Sequence, residues 1–183
     1  MITNSNRIRR FLISSCLILI IISSVFSVLL ITTVNTNRNI KVMTWNISGA
    51  VGTDDNFDVD RIIDKIKANN PDIIGLQEVD GQVEIKDLAD ELDMYYFYAK
   101  AGDTNEGNVL LSKFPIKDVE VFNLPLIDGE RPRIIVKGTV VIDHLKWDIY
   151  VSHFSRYDKP IDHYNQARLT ASLIEKNRYY ELY

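Results

Sequence analysis

The chain has 183 residues, of which 46% are hydrophobic and 25% charged, with a net charge of −4. That is enough for one folded domain and excludes a disordered or collagen-like chain. Cys16, the single cysteine, excludes an intrachain disulfide, and the acidic balance argues against non-specific duplex binding, which needs basic patches that release counterions.

Arg7, Arg9 and Arg10 precede an uncharged run over 11–34. A helix of that length spans the ~30 Å hydrocarbon core with some tilt. A cleaved signal peptide usually has an apolar region of about 7–15 residues and a small-residue cleavage site, and this run fits neither. The expected organisation is a cytoplasmic N-terminus (1–10), a transmembrane signal anchor (11–34), a linker (35–39) and a domain (40–183). Only Arg38 and Lys41 lie close after the span. The positive-inside rule therefore predicts a single-pass cell-membrane protein with its domain outside the cytoplasm. Cys16 lies near the start of the run, where a lipoprotein cysteine would follow it, and reads as a small lipid-facing residue. All 25 acidic residues come after the anchor, a balance compatible with a cation-dependent site.

The domain opens with a predicted strand over 40–47. Val59, Ile62, Ile63 and Ile66 then recur at helical spacing, with Asp55, Asn56 and Asp58 as capping candidates. Asn69-Asn70-Pro71 ends that helix, since a proline disfavours helical backbone in the residue before it. The next run, 72–79, is nearly all apolar and stops on Glu78, which reads as a strand buried on both faces that carries a carboxylate to the rim of a sheet. Strand, helix and strand form a βαβ unit with parallel neighbours.

A second helix is predicted over 82–93, with Val83, Leu88 and Leu92 inward, then an aromatic strand over 94–99. Its aromatics read as core and rim packing rather than a stacking platform. Strands follow over 108–112 and 119–122, then a hairpin of 133–142 and 146–154 turning near Asp143-His144-Leu145. Pro160 opens a last helix whose inward face is predicted as Ile161, Tyr164, Ala167, Ala171 and Ile174. His144 and His163 read as surface residues. The fold class is α/β, with antiparallel strands after an initial βαβ.

Asn46, Glu78, Asn108 and His153 fall at strand ends. Singly, an Asn caps turns and a His is satisfied in the core, but a carboxylate in an apolar setting needs a partner or a cation. Together, Thr44-Trp45-Asn46-Ile47, Ile74-Gly75-Leu76-Gln77-Glu78-Val79, Gly107-Asn108-Val109-Leu110-Leu111-Ser112 and Val151-Ser152-His153-Phe154 resemble the endonuclease/exonuclease/phosphatase superfamily, the deoxyribonuclease I-like divalent-cation phosphoesterases. Asn165-Gln166-Ala167-Arg168-Leu169 is also similar to its pattern.

The resemblance implies a four-layered α/β sandwich, two packed sheets flanked by helices, of which this chain would be the N-terminal portion. It implies Glu78 as a ligand of Mg²⁺ or Mn²⁺ and Asn46 as the residue orienting the metal shell or the attacking water. His153 would donate a hydrogen bond or proton to phosphate, Asn108 would support the floor, and Arg131 or Arg133 would clamp phosphate. The family's later Gly-Asp-x-Asn and Ser-Asp-His motifs are not found where the resemblance would place them: Gly102-Asp103 comes far too early and in a polar loop, and no Ser-Asp-His occurs. The expectation is a phosphodiesterase or phosphomonoesterase that is weakly active or inactive as this chain, with a lipid-linked or small phosphate ester favoured over nucleic acid. A separately encoded C-terminal half is an expected partner. The alternative is a non-catalytic remnant or a module that binds phosphate or lipid headgroups.

Overall fold

The computed structural model describes residues 39–126, 131–156 and 158–180, with side chains through 176. The predicted anchor at 11–34 lies outside the described residues. Among those that are described, no helix is long and apolar enough to cross a membrane. The described residues from Ile40 onward form one compact unit.

Strands β1 (Val42–Asn46) and β2 (Ile73–Asp80) are parallel, joined through helix α1 (Val59–Asn69). Asp58 caps α1 by accepting from the Arg61 N–H at 3.0 Å, and Asn70 ends it at φ 47°. Helix α2 is shorter than expected, Ile85–Glu91. Strands β3 (Tyr95–Lys100) and β4 (Glu106–Ser112) complete a four-stranded sheet in the order β1-β2-β4-β3. Strands β5 (Lys117–Asn123), β6 (Ile134–Ile142) and β7 (Leu145–Ser152) form an antiparallel second sheet in that order. Asp143 and His144, at φ 50° and 68°, make the two-residue β6–β7 turn, whose positive dihedrals match the strands' twist.

Alternation sorts the first sheet's side chains into two cores. Ile74, Leu76, Val109 and Leu111 meet α1 through Ile62, Ile63 and Ile66, and α2 through Ile85 and Leu88. Ile73 and Leu110 face the other way and pack with Ile134, Val136, Val140 and Val151 of the second sheet. The sheets approach closely at Gly75, where a Cβ would stand 3.1 Å from both Val151 methyls. The fold is thus two sheets with helices, as expected.

Helix α3 (Pro160–Tyr180) departs from its predicted face. Ile161 and Tyr164 are 63% and 64% exposed, and Ala167, Ala171 and Ile174 also face solvent. The enclosed stripe is instead Asp162 and Gln166, with Leu169 and Leu173 half-buried. Apolar spacing picked the wrong face because the helix is held by polar contacts. The buried Gln166 side chain accepts from the Ser155 N–H at 2.8 Å and donates to the Ser155 hydroxyl at 2.8 Å and the Pro125 carbonyl at 3.1 Å. His163, expected at the surface, is half-buried: its Nε2 is enclosed and its ring meets Phe154 edge-on at 6.3 Å. His144 is exposed.

Candidate active site

The register between β2 and β4 slips at the end of β2. Leu76 pairs with Val109 and Val79 pairs with Gly107, so Gln77 and Glu78 together oppose Asn108. This is a β-bulge, and Glu78 in it takes φ 51°, the left-handed region that a residue with a Cβ enters at a cost of about 1 kcal/mol. The consequence is visible in the burial. Strict alternation would put Glu78 with Ile74 and Leu76 against the helices. Instead Val79 takes that place in the helix-side core, and Glu78 is turned out to the rim. The sequence suggested a carboxylate at a strand end; the extra bulge residue is what aims it.

Glu78 Oε1 lies 3.6 Å from Nε2 of His153, the first residue after β7. The other ring nitrogen, Nδ1, is 2.8 Å from Arg133 Nη1. Arg133 immediately precedes β6, and its Nε is enclosed without a hydrogen-bond partner among the described residues. Burial and the neighbouring Arg133 cation hold the His153 pKa below its usual value, against the opposing pull of Glu78 and Glu106. Burial and the Arg133 cation both favour the neutral imidazole over the imidazolium.

Asn108 is 3% exposed and donates from Nδ2 to the Ile134 carbonyl at 3.1 Å, tying β4 to β6 beneath the site. Arg131 is at the rim, donating to Glu106 Oε1 at 2.7 Å. Glu78, Glu106, Asn108, Arg131, Arg133 and His153 line one pocket, which is narrow at about 10 Å³, the room of roughly one water. A groove of about 630 Å³ between α1 and α2 contains none of these residues.

Asn46 is not in that lining. It ends β1 opposite Gln77 and accepts from the Ser48 N–H at 3.0 Å, the start of a turn in which Ser48, Gly49 and Ala50 all have positive φ. The turn packs back toward Asp80 at the end of β2. Two residues of the site were missed by sequence reasoning. Gln77, buried in the bulge, donates to the Gly75 carbonyl at 3.1 Å and to Thr44 Oγ1 at 3.2 Å, bracing β1 against β2. Glu106 gave no signal, being one acid in a polar loop.

The donor set suits a hard cation only in part. Mg²⁺ takes one or two carboxylates and keeps several waters, so Glu78 at an open rim fits as one ligand. Among the described residues, no group of three or more His, Cys, Asp or Glu converges closely enough to enclose a metal.

The sequence model of the Endonuclease/Exonuclease/phosphatase family matches residues 43–178. The chain belongs to that family. Similar solved folds include the human Nocturnin catalytic domain with bound sulfate anion, at TM-score 0.63 and 22% identity over 76% of this chain and 60% of that one. The endonuclease/exonuclease/phosphatase from Beutenbergia cavernae DSM 12333 matches at TM-score 0.60 and 24% identity, covering 73% of this chain and 43% of that one. TDP2 from Caenorhabditis elegans matches at 0.59 and 23%, covering 76% and 42%. At these identities the likeness concerns the fold. The chain spans less than two thirds of the length of each of these structures. A search of curated proteins found no match.

Proposed function

We propose that the chain is the N-terminal part of a membrane-anchored, divalent-cation-dependent phosphoesterase, held by residues 11–34 with its domain outside the cytoplasm. The observation that carries the catalytic reading is the bulge, which brings the Glu78 carboxylate to 3.6 Å from His153 Nε2 in a pocket shared with Arg133. Mg²⁺ or Mn²⁺ would supply charge to a phosphate oxygen and acidify a bound water. Glu78 is its ligand in this reading, and Asn46 orients the surrounding shell or the attacking water. Arg133 offers guanidinium N–H groups to phosphate, and His153 donates toward the oxygen on which charge develops. Asn108 keeps the floor dry and fixed. The substrate class is a lipid-linked or small phosphate ester, supported by the predicted anchor and the acidic composition.

The open side of the sandwich supports a partner that completes it. Strand β7 lies over β2, but nothing described lies over β1, whose inner face leaves Val42 64% exposed. Trp147 and Leu145, on the inner face of β7 by their pairing with Val140 and Ile142, are also exposed. A separately encoded C-terminal half adding a strand beside β7 would cover β1 and bring further polar groups to Asn46 and Glu78. Turnover by this chain alone is then very weak or nil.

The test uses the full chain in detergent. Mn²⁺ affinity should fall at least about tenfold in Glu78→Gln, and hydrolysis of bis(p-nitrophenyl) phosphate should be barely measurable. Unchanged Mn²⁺ affinity would remove Glu78 as the ligand. Brisk cation-dependent turnover that Glu78→Gln abolishes would instead show that no completing half is needed. The second reading, a non-catalytic module for phosphate or lipid headgroups, is favoured by the lack of a closed ligand group among the described residues. It predicts phosphate binding that survives Glu78→Gln and is lost in Arg133→Met.

A further inference from the structure

Arg133 is one of two arginines at the site, and its contact is unusual for a phosphate-binding residue. It spends one of its N–H groups on the imidazole, with Nη1 2.8 Å from His153 Nδ1. A guanidinium has five donors and no acceptor, and it stays protonated at any ordinary pH. The Nδ1 of His153 must therefore present its lone pair, and the ring proton must be on Nε2. An imidazolium, with a proton on each nitrogen, would set two N–H groups head to head across that 2.8 Å contact. The opposite influence, Glu78 at Nε2, is longer at 3.6 Å, beyond hydrogen-bond distance. The shorter contact decides.

We propose that Arg133 is a positioning residue that locks His153 as the neutral Nε2–H tautomer, so that His153 serves the site as a fixed hydrogen-bond donor and not as the base. This rests on the phosphoesterase reading only for its purpose; the tautomer itself follows from the contact. In that tautomer the one proton of the ring faces the rim where Glu78 lies, and a phosphate oxygen arriving there would accept it. The lone pair is directed away from the rim into Arg133, so His153 cannot take a proton from water while the contact stands. The group that deprotonates the attacking water is another.

Arg131 provides the internal contrast. It also flanks the pocket, yet its partner is the Glu106 carboxylate at an exposed rim. The two arginines that the sequence left undivided are separated by what each touches: one holds the histidine, the other a surface acid.

The experiment is side-chain ¹⁵N NMR on the full chain in detergent, with labelled histidine and arginine, His153 being assigned by loss of its signals in His153→Gln. The expected result is one unprotonated nitrogen coupled across the hydrogen bond to an Arg133 Nη, and one protonated nitrogen, with no averaging between them. In Arg133→Met the two shifts should move toward an average, whereas Arg131→Met leaves them in place and Arg133→Lys restores much of the separation. A proton on Nδ1 in the wild type, or shifts unmoved by Arg133→Met in a protein whose backbone spectrum is otherwise native, would overturn the proposal. The readout needs neither metal nor substrate. Failure of Mn²⁺ binding would sink the catalytic reading and leave the tautomer standing, and the converse also holds.

Discussion

The two faces of the first sheet are finished to different degrees. On one, α1 and α2 close a core over Ile74, Leu76, Val79, Val109 and Leu111, and even the edge strand β1 has Met43 and Trp45 packed against it. On the other, the second sheet covers β2 and β4, but among the described residues nothing covers the inner face of β1, where Val42 is 64% exposed, and Trp147 of β7 is 44% exposed. The first face is closed across all the strands that α1 and α2 cover. The second carries the site along its rim and stays open beside it, so stability and chemistry are divided between the two sides of one sheet.

The largest effect should come from the closed face. Leu76→Ala deletes a fully buried side chain among well-packed neighbours and should cost about 2–5 kcal/mol in urea unfolding. A loss under about 1 kcal/mol would mean that this core is not the main source of stability. Gly107→Ala tests the strand that links the faces. A Cβ there would stand 2.2 Å from the Ala99 carbonyl oxygen of the neighbouring strand, and backbone cannot be relieved by a rotamer. We expect a loss of about 1–3 kcal/mol, with Asn108 and the bulge displaced. An intact site would show that β3 can yield.

On the rim the direction reverses. Glu78→Gly should stabilise the fold by about 1 kcal/mol, because glycine takes the left-handed φ without the Cβ penalty, while Mn²⁺ binding is lost. A destabilised Glu78→Gly would mean the bulge is held by the carboxylate's contacts rather than imposed on it. The smallest effects belong to exposed positions. Arg131→Ala breaks an ion pair whose arginine is largely exposed and should change stability by less than about 1 kcal/mol. Val42→Thr on the uncovered shelf should be within about 0.5 kcal/mol. A large loss from Val42→Thr in the full chain would show that something covers β1 after all.

Much of this was legible in order along the chain. The apolar run 72–79, the helical spacing from Val59 to Ile66 and the polar residues at strand ends determined a βαβ unit and a rim carrying Glu78, because period and turn chemistry are local properties of backbone and side chains. The motifs Leu76-Gln77-Glu78 and Gly107-Asn108 with Leu111-Ser112 pointed to the family whose model matches residues 43–178. Three things needed the tertiary structure. The bulge that aims Glu78 arises only where β2 meets β4, since register belongs to a pair of strands and not to either one. The division of labour between Arg131 and Arg133 depends on which side chain reaches His153 from another strand. The face of α3 was set by Gln166, whose amide meets Ser155 and Pro125 from elements distant in sequence, and this outweighed the apolar stripe that the sequence displayed. Local periodicity settles what an element is; which of its faces is enclosed depends on partners that only the folded chain supplies.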